Sequence, residues 1–171
     1  MNGEAIRMLS HLGCGSVTLS RELSRSEISE LPLGIAEMIL PVYGRTRLML
    51  LNHCPMRTEM GLEKGREACR LCEQGKGAMY THLSDRMHAD YPLFPMHLPE
   101  GCLVELLSDK PLHLAGEAKE CSHLSWQLNF IDEALPLCLE IISYYAAVKE
   151  GQKSPAPSVK GSMGRFMEGV L

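Results

Sequence analysis

Two apolar spacings alternate along the chain. From Asn2 to Leu12, the residues Ala5, Ile6, Met8, Leu9 and Leu12 fall on one broad face at helical spacing, and Gly13 follows as a stop. Ser16 to Ser20 (S-V-T-L-S) alternates and predicts a short strand. Ser24 or Ser26 caps a second helix running to about Leu31, where Pro32 and Gly34 end it. Ile35 to Val42 is an apolar run broken only by Glu37 and Pro41, which predicts a buried strand of a parallel sheet. Helix, strand, helix, strand is the order of an α/β fold.

Gly44 to Leu51 predicts a further strand. Cys54 to Gly101 differs in texture: glycine, proline, methionine and cysteine crowd it, and it predicts one helix, near Leu62 to Gln74. Cys102 to Ser108 and Leu124 to Phe130 predict strands. The longest helix is expected from Asp132 to about Lys149, with Ala134, Leu135, Leu137, Cys138, Ile141, Ile142 and Tyr145 on a wide apolar face. Pro136 falls near its first turn, where proline is least harmful. Gly151 to Gly161 reads as a polar linker. The expected organisation is a main part, 1–150, with a cysteine-rich insertion at 54–102, then a linker and C-terminal tail, 151–171.

Composition narrows the classes. A chain of 171 residues with 45% hydrophobic and 22% charged residues suits one domain with an ordinary core. The formal net charge of -4 carries no basic excess that would advertise nucleic acid. No apolar run reaches the ~18 residues of a membrane helix, so no membrane partner is expected. The first residues lack a signal peptide's basic start and apolar stretch, so the expected address is the cytoplasm. Thiols stay reduced there, and seven cysteines read as free thiols or metal ligands rather than disulfides.

Cys69 and Cys72 form a C-x-x-C unit, a spacing that lets both sulfurs face one ion across a turn. Cys54 lies well upstream of this unit and Cys102 well downstream, so these two join it only through the fold. Four thiolates meet the need of a [4Fe–4S] cluster, one per iron, and equally that of a tetrahedral structural zinc. Cys14, Cys121 and Cys138 each stand alone in or beside a core element and read as small apolar residues. His53, beside Cys54, could enter a zinc site or sit outside it.

Other chemistry is less local. No H-E-x-x-H, no G-x-S-x-G and no glycine-rich phosphate loop is present. Arg21-Glu22 follows the first predicted strand, at the end where parallel barrels build their sites. Asp85-Arg86 stands in a predicted loop. Surface ion pairs would account for both.

Together these segments resemble the collagenase-like peptidase family, in that family's order. Leu19-Ser20-Arg21-Glu22-Leu23 is similar to its L-S-R-E-L strand end. Tyr43-Gly44-Arg45, Leu48-Met49 and Cys54-Pro55-Met56-Arg57 are similar to its Y-G-R-x-x-L-M and C-P-x-R stretch. Cys69 and Cys72 follow, then Leu83-Ser84-Asp85-Arg86, similar to its L-x-D-R. Tyr91-Pro92 stands at an F-P pair, and Ser108-Asp109-Lys110-Pro111-Leu112 resembles N-S-x-P-L. The tail Gly164-Arg165-Phe166-Met167-Glu168-Gly169-Val170 resembles its closing R-G-H-F-Y-R-G-V. Departures are Arg47, where some members carry an extra cysteine, Met163 and Arg165 in the tail, and Asn129 at a common aspartate.

The resemblance implies the C-terminal part of a TIM-like (β/α) barrel with a cysteine-bearing excursion. A full barrel takes ~250 residues, so an upstream barrel fragment or a second copy is the implied partner. It implies two activities: a peptidase acting on peptide, or an oxygen-independent hydroxylation factor for tRNA, rRNA or a quinone precursor. The implied cofactor is a [4Fe–4S] cluster on Cys54, Cys69, Cys72 and Cys102, with zinc in a non-catalytic fragment as the alternative. The implied substrate-side residues are Arg21, Glu22, Tyr43, Arg45, Arg57, Asp85 and Arg86.

Overall fold

A computed structural model describes residues 2–59, 81–98 and 101–168. The chain divides into two compact units, Met1–Gly44 with Lys110–Leu171, and Arg45–Asp109. The cysteine-rich stretch 54–102 falls inside the second.

The first unit opens with helix α1 (Gly3–His11), strand β1 (Ser16–Thr18), helix α2 (Arg25–Ser29) and strand β2 (Glu37–Gly44). Asn2 Oδ1 caps α1 by accepting from the Ala5 amide at 3.0 Å, and Gly13 takes the left-handed conformation after it. The apolar face expected on α1 is mostly uncovered: Ile6 is buried, whereas Met8 and Leu12 are exposed. Of the two candidate serines, Ser24 caps α2. Its hydroxyl accepts from the Glu27 amide, and the Glu27 carboxylate accepts from the Ser24 amide, a complete capping box.

After the elements of the second unit, the chain returns to this one as β7 (Leu112–His113), a 3₁₀ turn (Glu117–Cys121), β8 (Ser125–Leu128) and helix α4 (Leu135–Lys149). β1 and β8 both pair with β2 in parallel, and β7 meets its C-terminal end in antiparallel. The expected α/β class and parallel sheet are therefore present, and the described residues form no closed barrel. Met38, Leu40 and Val42 of β2 enter a core with Leu19, Ile28, Leu114, Ile141, Tyr145 and Phe166. Each fully buried large aliphatic side chain contributes ~1.5–3 kcal/mol.

Helix α4 has Pro136 at its start, as expected, and turns Ile141, Tyr145 and Val148 inward. Leu135, Leu139 and Ile142 stay exposed, so its apolar surface is wider than the face it buries. Beyond the polar stretch after α4, the tail comes back to the core. Ser162 bridges Leu112, and Phe166 is 2% exposed with its carbonyl accepting from the Arg25 amide at 2.8 Å.

The second unit holds β3 (Arg47–Leu51), α3 (Pro55–Glu59), β4 (Thr81–Ser84), β5 (Asp90–Leu98) and β6 (Gly101–Leu107). The helix expected near Leu62 to Gln74 lies outside the described residues. The described strands form an antiparallel sheet in the order β3-β6-β5-β4, with Leu93, Val104 and Leu107 buried. Glu105 is buried on β6, and Arg47 Nε approaches its carboxylate at 2.7 Å. A buried carboxylate persists only with such a partner.

Candidate functional site

The cysteine site can be followed through the register of the second unit. Leu51 of β3 stands opposite Val104 of β6 in an antiparallel pair. β3 ends there, three residues before Cys54, and Cys102 lies two residues before Val104, near the start of β6. Cys54 therefore leaves β3 at the end of the sheet where Cys102 enters β6. Both are half-buried. The Cys54 carbonyl accepts from the Arg57 and Thr58 amides at 3.1 and 3.2 Å, which starts α3 and fixes the backbone of the cysteine. Cys69 and Cys72 lie outside the described residues. Among the described residues no three donors of the His, Cys, Asp and Glu type gather. Cys54 and Cys102 are the two described members of the expected four-cysteine set.

The other three cysteines divide. Cys121 is buried, and burial pushes its thiol up from the ordinary value. Cys138 is half-buried, its thiol 3.4 Å from the Glu133 carbonyl. Cys14, expected in or beside the core, is exposed, because it follows the turn at Gly13 rather than packing under α1.

A second cluster forms in the first unit, at the C-terminal end of its parallel strands. Arg21, three residues past β1, donates from Nη1 to the Gly44 carbonyl at 2.8 Å, at the end of β2. The Asn129 amide, just past β8, donates to the Tyr43 carbonyl at 3.0 Å. Tyr43 is fully buried, and its hydroxyl donates to Glu133 Oε1 at 2.9 Å. The other Glu133 oxygen accepts from the Ile131 amide at 2.9 Å, so the carboxylate is held in the loop before α4. The structure thus brings Arg21 and Tyr43 to the C-terminal end of the parallel strands. Glu22 lies next to Arg21, its amide donating to Ser20 Oγ at 3.3 Å.

The remaining candidates belong to the second unit. Arg45 Nη1 donates to the Ser108 and Asp109 carbonyls, both at 2.8 Å, which ties the unit's two chain ends together. Arg57 is half-buried on α3, one turn after Cys54. Asp85 organises the β4–β5 turn: Oδ1 accepts from the Met87 and Ala89 amides at 2.7 and 3.0 Å, and Oδ2 from the Tyr91 hydroxyl at 3.2 Å. The Ala89 amide above all holds the Asp85 carboxyl below the usual carboxylate range, and the same aspartate raises Tyr91. His88, at φ 59, completes the turn. Arg86 is exposed at its tip.

Sequence reasoning passed over Glu133, named His113 only as one of several histidines a cysteine could pair with, and placed Tyr145 only on the apolar face of the longest helix. Tyr145 Oη donates to the Val42 carbonyl at 2.8 Å and accepts from the Leu114 amide at 3.1 Å. Its one proton is spent on Val42, so His113 Nδ1, 2.7 Å away, supplies its own. Neutral His113 is thereby the Nδ1–H tautomer. Burial lowers its pKa from the ordinary 6.5, with Glu117 partly opposing. A lowered histidine pKa means the unfolded chain binds the proton more readily. The stability from neutral His113 is full above pH 6.5 and falls as the pH drops toward the folded value. A pH series of thermal melts should show this loss in the wild type and a smaller one in His113→Gln; equal slopes would exclude His113 as its source.

No signal near Glu133, His113 or Tyr145 announces these contacts, because each joins segments far apart in the chain. No family model, no curated protein and no solved structure matches the chain.

Proposed function

We propose that the chain is the C-terminal portion of a collagenase-like peptidase family protein, with a [4Fe–4S] cluster held by Cys54, Cys69, Cys72 and Cys102. The observation that carries the reading is the ordered set of motifs, joined by the register that brings Cys54 and Cys102 to one end of neighbouring strands. When bound, the cluster supplies one-electron chemistry. The four thiolates hold it, and Arg57 stands on the helix that Cys54 begins.

A partial barrel belongs to the same proposal. Parallel sheets are normally covered on both faces. Here Ser16, Thr18 and Glu37 are exposed at the starts of β1 and β2, on a face whose later positions, Pro41 and Tyr43, are buried. Strands from an upstream fragment or a second copy would continue the barrel beside β1, the edge strand of the described parallel sheet. Arg21 and Glu22 at the strand ends are the proposed substrate-side groups of this unit, with Tyr43 positioning Glu133 behind them. Arg45, Arg57, Asp85 and Arg86 keep that proposal in the second unit.

The thiol donors favour a second reading, oxygen-independent hydroxylation of tRNA, rRNA or a quinone precursor. A collagen-like peptide separates the two. Cleavage by the anaerobically purified chain supports the peptidase. An intact peptide, with a hydroxylated nucleoside lost on gene deletion, supports hydroxylation.

The ligand set has its own test. Cys54→Ala and Cys102→Ala should each abolish metal binding, while Cys138→Ala keeps it, measured as metal per chain. Equal metal content in all three variants would reject the assignment.

A further inference from the structure

The outer edge of the second unit's sheet is built unlike a protected edge. β3 is the edge strand, and among the described residues no strand pairs with its outer side. Its sequence is Arg47-Leu48-Met49-Leu50-Leu51, with no lysine and no proline to block pairing. Successive side chains of a strand point to opposite faces. Yet Leu48, Met49 and Leu50 are 52%, 55% and 58% exposed, so the strand is apolar and open on both faces.

We propose that β3 pairs in antiparallel with β3 of a second copy of this chain, about a two-fold axis through Met49. The strand matches its own reverse. Met49 meets Met49 of the other copy, Leu48 meets Leu50, and Arg47 meets Leu51. Charge fits the same occupant: Arg47 is the strand's one charged residue, its partner Glu105 is on its own sheet, and no like charges are opposed across the axis. An isologous contact of this kind closes on itself as a dimer. Three half-exposed side chains and one strand's backbone groups fall well short of the ~800 Å² per partner of a standard interface. The bulge between Arg47 and Met49 adds local twist. The dimer is therefore weak and concentration-dependent.

Sedimentation velocity on the full chain over a dilution series tests this, with Met49→Lys and Met49→Glu. Met49 stands opposite Leu106 in its own sheet, so neither charge meets a charged residue directly across from it there. The wild type should dimerise reversibly. Each variant alone should lose the dimer, because like charges meet on the axis, and an equimolar mixture of the two should recover it. Circular dichroism of each variant checks that it is folded. A wild type that stays monomeric throughout the series would overturn the proposal. So would a dimer that persists in both single variants, which would place the contact elsewhere, such as on the exposed leucines of α4.

Discussion

Gly44→Ala should unfold or severely weaken the first unit. Gly44 ends β2 at φ +121, a backbone conformation that side chains rarely adopt. A methyl group there would lie 2.3 Å from the Asn129 carbonyl oxygen and 2.9 Å from Asn129 Cβ. The nearer obstacle is backbone and cannot swing away. Relief requires opening the junction of β2 with the end of β8, where Asn129 also donates to Tyr43. The expected loss exceeds about 3 kcal/mol, among the large values for a point mutation, or roughly 6–12 °C in Tm for a chain of this size. Gly13→Ala is the control. Gly13 also has positive φ, +89, but nothing lies within 4 Å of the added methyl. If thermal melts show Gly44→Ala no worse than Gly13→Ala, close packing against Asn129 is not what the glycine serves.

Phe166→Ala should cost about 3–5 kcal/mol, the range for emptying a buried phenylalanine site. Phe166 is 2% exposed in the core of the first unit, and its backbone holds the start of α2 through Arg25. Met167, the next residue, is 50% exposed, and Met167→Ala should stay within about 0.5 kcal/mol. Denaturant titrations of the two variants compare them directly. Similar midpoints for both would mean that the tail does not hold the core.

These two sites show what was legible in the chain and what was not. Helices α1, α2 and α4, and strands β1, β2, β3, β6 and β8, follow from local spacing, caps and apolar runs. Strand β5 does not. Pro92 and Pro95 lie within it, and prolines, which donate no backbone hydrogen bond, argue against an interior strand. β7 is two residues long and depends on pairing with the end of β2. The closing residues look like a tail because one aromatic, between Arg165 and Met167 in a short glycine-containing segment, sets no periodicity. The candidate cysteine site stands out in the sequence for the opposite reason. C-x-x-C is a local pattern, and Cys54 and Cys102 stand near strand ends that the pattern of apolar residues already marks. Tyr43 and Glu133 are ninety residues apart, and nothing local links them.

The central claim is the four-cysteine cluster, and anaerobic purification followed by a visible spectrum with iron and zinc analysis tests it most directly. The expected result is a brown protein with a broad band at about 400 nm and about four irons per chain. A colourless protein with about one zinc per chain, or with no metal at all, would contradict it.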